Sequence, residues 1–342
     1  MAIEMAAQGP TTLADFEGLV GDDQVSRKVF LHTVRDYAAF FDRVPILAAN
    51  DNSGDKGNII TTYPEGELHG YDEGWNSETV TGAEVRYTMC RRSSSNTIDY
   101  DKYMDQPASR RNEWRLQKDK IFARGFARAT VRTLLYGDPT VDKNACRGIC
   151  NIVTPSDEVW KDRIIDAGGT TGGKLTEIIL VGWNPADTYC FHNANNPESD
   201  GGFRTTVNMD KIRVEKNGKH YYALETDFRW DIGVALYNPL SVVRITNIDT
   251  TKLYKKASTS GSVDLPDLFT QALNLLPDEF RAGASFYCND IITGTTRRQL
   301  NHQENLQMTY DDFAGRKLLN IGGIPIFGLG NDVISVTGNQ VK

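Results

Sequence analysis

One helix sets the strongest limit on how this chain can fold. The sequence from Ala108 to Tyr136 contains no proline and predicts a continuous helix about 43 Å long, at about 1.5 Å per residue. Pro107 stands just before the start, where a missing N–H costs little, and Pro139 prevents the helix from continuing. Gly137 is predicted to close the helix in the left-handed conformation. A helix of this length must be a framework element for the fold.

The predicted helix has two chemically different faces. Its apolar residues, which we expect to pack on a sheet, are Trp114, Ile121, Phe122, Phe126, Ala129 and Leu134. Its cationic residues, spaced at intervals of four, are Lys120, Arg124, Arg128 and Arg132. Like charges at this spacing repel by roughly a few tenths of a kcal/mol per pair, so the stripe does not exist for helix stability. Two partners could offset the repulsion: a polyanion, or acidic side chains such as Asp99, Asp101 and Asp105. A solvated basic face is the ordinary alternative.

Composition and charge place the chain among globular proteins. It has 342 residues and a formal net charge of -7, so a basic stripe stands out against an acidic background. No apolar run approaches the length of a membrane span, and the first residues lack the basic flank and apolar core of a secretion signal. The five cysteines are scattered, and we predict that all are thiols. These features predict a protein made in a cytoplasm without a membrane partner.

Helix and strand signals follow one another without a repeat and predict an α+β fold. An arm that ends near Gly21 precedes a helix that begins at Asp22 or Asp23 and ends near Phe41. Extended runs dominate residues 177–248, and a helix is predicted over residues 265–276. The segment GIPIFGLGNDVIS predicts a closing pair of strands. We therefore expect helices and sheets combined in two lobes.

Residues 50–90 predict a long projecting hairpin. Two extended runs, NIITTY and AEVRYTMC, flank a segment rich in glycine and acidic residues, PEGELHGYDEGWNSETVTG. Its large apolar and aromatic side chains, too few to form a separate core, are Tyr63, Leu68, Tyr71 and Trp75. We predict that these four residues contact a neighbouring chain.

The motifs that could carry catalysis are incomplete. The segment GGTTGGKL places Gly168, Gly173 and Lys174 near the spacing of a phosphate loop, but Leu175 stands where a hydroxyl is required. The order of loop then strand is also wrong, because a phosphate loop opens a helix. CRGIC, with Cys146, offers half of a zinc site without a second pair of ligands. No catalytic residue, cofactor site or metal site is predicted, and a phosphate-loop nucleotide hydrolase is the less favoured enzyme alternative.

Five stretches of sequence carry a family resemblance. They are TVRTLLYGDP, RIIDAGGTTGGKLTEIILVGWNPADTYCF, HYYALETDFRWDIGVALYNPLSVVRITNID, GASFYCNDII and GIPIF. Together with the order of elements, they resemble the HK-97 type major capsid proteins of tailed bacteriophages, in particular the epsilon-fifteen-like family of short-tailed phages. The similarity runs from about Asp36 to Ser335 and is strongest between Arg163 and Asp249.

The resemblance implies a division of the chain and a function. Residues 1–49 would be an N-terminal arm with a helix, 50–90 the extended loop, and 91–150 a peripheral domain with the spine helix over 108–136. Residues 151–309 would form the axial domain, and 310–342 would return to the peripheral domain. The function implied is a major capsid protein that assembles, in the bacterial host cytoplasm, as pentamers and hexamers into the icosahedral head of a virion. A phage structural or DNA-binding protein outside the shell is the alternative.

The resemblance also implies partners. The spine helix begins too early for a built-in scaffolding segment, so a separate scaffolding protein is expected, together with a portal and decoration proteins. Packaged double-stranded DNA would be met without sequence specificity, because no helix-turn-helix or zinc spacing is present. Under this interpretation Lys120, Arg124, Arg128 and Arg132 face the DNA. No crosslink is predicted, although Lys56 lies in the loop.

Overall fold

The computed structural model describes residues 39–51, 54–62, 64–194, 201–208, 210–254, 261–301, 308–313, 316–338 and 340–341. The helices are α1 (Tyr100–Met104), α2 (Arg111–Tyr136), α3 (Ile149–Ile152), α4 (Leu265–Leu275), α5 (Asp278–Arg281) and α6 (Asp290–Leu300). Short 3-10 turns occupy Ala39–Asp42, Lys161–Arg163, Pro239–Ser241 and Thr250–Lys252. The predicted arm, and most of the helix predicted after it, lie outside the described residues.

The strands complete a mixed α+β fold, as predicted. In chain order they are β1 (Ile46–Ala48), β2 (Gly54–Thr62), β3 (Thr81–Thr88), β4 (Cys90–Asp99), β5 (Ile164–Asp166), β6 (Leu175–Gly182), β7 (Thr188–His192), β8 (Phe203–Val207), β9 (Ile212–Lys216), β10 (Lys219–Leu236), β11 (Val242–Asp249), β12 (Ala284–Asn289), β13 (Met308–Phe313), β14 (Arg316–Ile321) and β15 (Ile324–Leu329). The prediction of a closing pair within GIPIFGLGNDVIS was wrong, because that segment holds β15 alone and the antiparallel partner of β15 is β14, which precedes it.

Within the described residues these strands form two large sheets and one separate hairpin. The first sheet has the order β1-β7-β10-β4, and β8 and β9 also pair with β10. The second sheet has the order β13-β14-β15-β12-β6-β11-β5. The hairpin consists of β2 and β3. Residues 151–309 therefore contribute strands to both large sheets, and the strands β13 to β15 join the second one.

Helix α2 starts later than the sequence predicted. The predicted first residue was Ala108, whereas the helix begins at Arg111. Residues 107–110 form a turn instead, in which the N–H of Arg110 donates to the carbonyl of Pro107 over 2.8 Å. Proline restricts the residue before it but does not oblige the next residues to be helical, so its position alone could not fix the boundary.

The other end of α2 lies where predicted, but for a different reason. The helix ends at Tyr136, and Gly137 has φ -57° and ψ 132°, which is not left-handed. The prediction of a left-handed cap was therefore wrong. A Cβ atom at Gly137 would lie 2.3 Å from the carbonyl oxygen of Cys146, so glycine is required for close packing of the following loop.

Aromatic and small residues of α2 pack against the first sheet. Phe122 stacks on Phe228 of β10 with ring centroids 5.3 Å apart, and Phe126 approaches Phe203 of β8 at 6.4 Å. The apolar residues of the helix that are buried are Ala123, Phe126, Ala127, Val131, Leu134 and Leu135. The prediction for Ile121 was wrong, because this side chain is 70% exposed.

A polar pair fixes the first half of α2 to the same sheet. Buried Arg115 donates to the carbonyl of Glu225 over 2.9 Å and to the hydroxyl of Thr226 over 3.0 Å. Buried Asp119 accepts from the amide of Asn96 over 2.7 Å and from Thr226 over 3.2 Å. Burial raises the pKa of Asp119, although these hydrogen bonds act against the shift.

The second sheet is covered on both faces, which explains its apolar sequence. Every residue of β6 and of β11 is buried, as expected for strands with packing on each side. Helix α4 covers one face, where Phe269 meets Phe286 edge to face at 4.7 Å. On the other face the indole N–H of Trp183 donates to the hydroxyl of Tyr287 over 2.8 Å, and Phe40 packs beside both rings.

Candidate functional site

The hairpin of β2 and β3 ends in an exposed tip. The strands pair antiparallel from Gly54 and Thr88 to Thr62 and Thr81. Residues 64–80, which we call the acidic tip, are all exposed. Leu68 and Tyr71 have relative exposures of 107% and 103%, and that of Trp75 is 69%. Tyr63, the fourth predicted contact residue, lies outside the described residues. The projecting hairpin is as predicted, whereas its contact with a neighbouring chain stays a prediction.

A buried carboxylate anchors the base of this hairpin. Asp55 of β2 is 1% exposed and accepts hydrogen bonds from the hydroxyl of Tyr189 at 2.6 Å and of Tyr237 at 2.9 Å. Burial and the bond to this carboxylate raise the pKa of both tyrosines. Tyr87 of β3 donates to the carbonyl of Leu236 over 2.6 Å. The base is therefore fixed to the end of β10, although the tip is not.

Sequence reasoning missed this anchor. The partners of Asp55 lie 134 and 182 residues away along the chain, and no local pattern connects them. An aspartate in a strand that otherwise reads as exposed looks like an ordinary solvated residue. The only signal available was the low strand propensity of aspartate, which indicates a special position without naming a partner.

Most of the cationic stripe of α2 is exposed to solvent. Arg128 is half-buried and pairs with Asp332, with Nη1 and Oδ2 2.8 Å apart. The other three residues of the stripe, Lys120, Arg124 and Arg132, are exposed. Asp99, one of the acidic partners considered from sequence, instead caps α1 by accepting the N–H of Asp101 over 3.0 Å. Arg128 therefore has an acidic partner, and it comes from the segment after β15.

The glycine-rich loop that resembled a phosphate loop is engaged by the end of the chain. It lies between β5 and β6 and leads into a strand, as predicted. The N–H of Gly172 donates to the carbonyl of Gly338 over 2.9 Å. Leu175 and Thr337 exchange two backbone hydrogen bonds of 2.7 Å. The loop thus binds a neighbouring backbone segment, and it does not form a phosphate-binding site around Lys174.

The cysteines and acidic residues give no metal centre in the part of the chain that the structure describes. All five cysteines are free and buried, which confirms the prediction of thiols. Burial raises the pKa of Cys190 and of Cys150. No group of three or more potential metal ligands occurs among the described residues. In the same residues, no helix is long and apolar enough to cross a membrane.

A family comparison decides the class of the protein. The family model described as Major capsid protein GP7 matches residues 32–342. The chain belongs to this family. This member of the family is therefore a shell-forming structural protein of a phage virion. No curated protein matches the sequence.

Solved structures are similar to this chain in fold. A structure of bacteriophage Epsilon15 is similar over 98% of this chain and 99% of that chain, at 19% identity and a TM-score of 0.58. The capsid of bacteriophage JBD30 gives 7% identity, coverage of 75% and 80%, and a TM-score of 0.45. The SrpI encapsulin of Synechococcus elongatus PCC 7942 gives 8% identity, coverage of 71% and 97%, and a TM-score of 0.42. The family and the similarity to the Epsilon15 structure confirm the predicted HK-97 type capsid fold.

Proposed function

We propose that this major capsid protein assembles as pentamers and hexamers into an icosahedral head that encloses double-stranded DNA. The observation that supports the proposal most is the family match over residues 32–342, which leaves little of the chain for another role. The exposed apolar side chains of the acidic tip support it further, because such side chains gain stability only at a partner. Because the same chain forms both pentamers and hexamers in this proposal, the contacts between neighbouring subunits must tolerate two different angles of rotation between them.

In this proposal each segment of the chain has a place in the shell. Residues 1–49 are the N-terminal arm, 50–90 the extended loop over a neighbour, 91–150 the peripheral domain, 151–309 the axial domain and 310–342 the returning segment. The partners are further copies of the chain, a separate scaffolding protein, a portal and decoration proteins. Assembly takes place in the host cytoplasm.

We further propose that the cationic stripe of α2 faces the shell interior and meets DNA phosphate. Accessible cations on an otherwise acidic protein support this role, because neutralising phosphates releases counterions without reading bases. The ion pair of Arg128 with Asp332 weakens the case for that one residue. The stripe residues proposed to face DNA are Lys120, Arg124, Arg128 and Arg132.

Particle formation tests the proposed function directly. The chain is expressed alone and with the scaffolding protein of its phage, and the products are sedimented and imaged by electron microscopy. We expect closed megadalton particles built from pentamers and hexamers. Small species under every condition would contradict the proposal and favour a phage structural or DNA-binding protein outside the shell.

A further inference from the structure

The first sheet carries a second projecting hairpin, formed by β9 and the start of β10. Its turn is Asn217-Gly218, with φ of 54° and 71°, which matches the two-residue turns that suit the twist of paired strands. Strands β9 and β10 pair from Ile212 and Ala223 to the turn. Residues 211–222, which we call the basic hairpin, hold Tyr222 at a relative exposure of 56%.

The basic hairpin is rich in cationic residues. It contains four cationic side chains, Lys211, Arg213, Lys216 and Lys219, and one acidic one, Glu215. Arg213 and Lys219 are exposed. Nη2 of Arg213 lies 3.1 Å from Nδ1 of His220 and donates to it. The guanidinium of Arg213 therefore lies on the solvent-exposed face of the basic hairpin, and its remaining N–H groups can donate to a carboxylate.

The acidic tip has the opposite character. It contains Glu65, Glu67, Asp72, Glu73 and Glu78 and no lysine or arginine. Three of these acids shape the tip: Glu73 accepts the N–H of Gly70 over 2.8 Å, Glu78 that of Gly66 over 3.1 Å, and Glu67 that of Asn76 over 3.2 Å. Among the described residues no ion pair joins the five acids to a cation. The tip is a shaped acidic surface with Leu68, Tyr71 and Trp75 exposed on it.

The two hairpins extend from opposite ends of β10. The basic hairpin contains Lys219, the first residue of that strand, whereas the base of the other hairpin is fixed at Leu236, its last residue. Since β4 runs antiparallel to β10 with Cys90 opposite Ile232, β3 lies beyond the Leu236 end. A strand of this length spans about 55 Å, so the two surfaces do not meet within one subunit.

We propose that the acidic tip of one copy docks on the basic hairpin of a second copy. Opposite charges select the partner surface, and the exposed aromatic side chains supply the apolar contact once the two meet. A contact between different surfaces at the two ends of β10 is head-to-tail, so it can close rings of identical chains. The proposal rests on the proposed shell function and adds the surface on which the extended loop lands.

A pair of charge changes tests the docking. Arg213→Glu with Lys219→Glu turns attraction into repulsion and should raise the subunit concentration needed for assembly about tenfold or more. Glu65→Gln with Asp72→Asn removes two charges, and asparagine tolerates the positive φ of 66° at position 72. In the wild-type background this tip variant should weaken assembly. In the background of Arg213→Glu with Lys219→Glu it should strengthen assembly, because it relieves repulsion.

The decisive result is that the tip variant weakens assembly in the wild-type background and strengthens it in the background of Arg213→Glu with Lys219→Glu. A tip variant that weakens assembly equally in both backgrounds, or changes neither, would overturn the docking proposal while leaving the shell function intact. Failure of the wild-type chain to form particles would instead contradict the shell function. The matched control removes two exposed acids elsewhere, Glu158→Gln with Glu279→Gln, and should leave assembly unchanged in both backgrounds. Melting curves should coincide, because all the altered residues are exposed.

Discussion

At the residue scale, buried charged groups join elements that are distant in sequence. Glu177 of β6 and Arg244 of β11 form an ion pair 2.5 Å long, and both side chains are largely buried. Arg244 also donates to the carbonyls of Cys150 and Val153, over 2.9 and 3.0 Å. The guanidinium therefore connects the second sheet with the segment around α3, which follows the long helix.

Arg244→Met should be strongly destabilising. The substitution leaves the Glu177 carboxylate and two carbonyls without their donor, and such a break costs about 3 kcal/mol or more of the free energy of unfolding. Urea unfolding of the free subunit measures the change. The double variant Glu177→Leu with Arg244→Met removes both charges and should be less destabilised than the single variant. A single variant as stable as the wild type would show that the pair does not hold α3.

Asp119 gives a pH-dependent prediction. Burial raises its pKa, so the folded state holds the proton more tightly than the unfolded chain, whose aspartate pKa is about 3.9. The contribution to stability is thus complete below about pH 4 and is lost as the pH rises through the folded value. In Asp119→Asn this titration is absent. The stability of the wild type relative to the variant should fall as the pH rises above about 4, as measured by denaturant unfolding. A difference independent of pH would contradict the prediction.

At the element scale, the hairpin of β2 and β3 is fixed to the first sheet at its base and exposed at its tip. Its base depends on Asp55 and Tyr237, whereas the residues of its tip are all exposed. The hairpin itself could be predicted, because its composition lacks the apolar residues of a core. Its anchor could not, because hydrogen bonds between residues more than a hundred positions apart leave no periodic pattern.

Trp75→Ala should separate assembly from folding. The side chain is 69% exposed, so the melting temperature of the free subunit should be unchanged. An aromatic anchor at an interface contributes on the order of 2 kcal/mol or more, and the loss recurs at every copy in a particle. Particle stability against urea is the measurement. Val141→Ala, at a side chain 85% exposed elsewhere, is the control. A subunit that unfolds while particles persist would contradict the prediction.

The proposed contact between the stripe on α2 and DNA can be tested by removing charges from the stripe, with a variant of Asp332 as the control. Lys120→Gln with Arg132→Gln deletes two exposed charges and keeps helix propensity. If the stripe faces DNA, empty particles should keep their stability, and filled particles should lose stability or DNA in a salt-sensitive way. Asp332→Asn removes the pair with Arg128 without altering the charge of the stripe. Equal loss of stability in empty and filled particles would contradict the DNA-facing role.

At the scale of the whole molecule, sequence reasoning identified the class of fold but not the partition of strands between sheets. Segments of the two sheets alternate along the chain, as β6, β7, β10 and β11 show. All four contain buried apolar residues, so the local pattern does not say to which sheet each belongs. The register of long-range pairs decides the matter, such as Trp230 opposite Arg92 in the first sheet and Phe286 opposite Leu180 in the second.

The position of β15 has a consequence for synthesis in the cell. This strand lies beside β12, which lies beside β6, so the second sheet is closed by residues that the ribosome makes long after its centre. Translation proceeds at about 5–20 residues per second, so a few seconds pass between the synthesis of β12 and the synthesis of its neighbour β15. A subunit still on the ribosome is then too incomplete to join a growing shell. Chains truncated after Asn301 should be cut by protease within β12, whereas complete chains should resist.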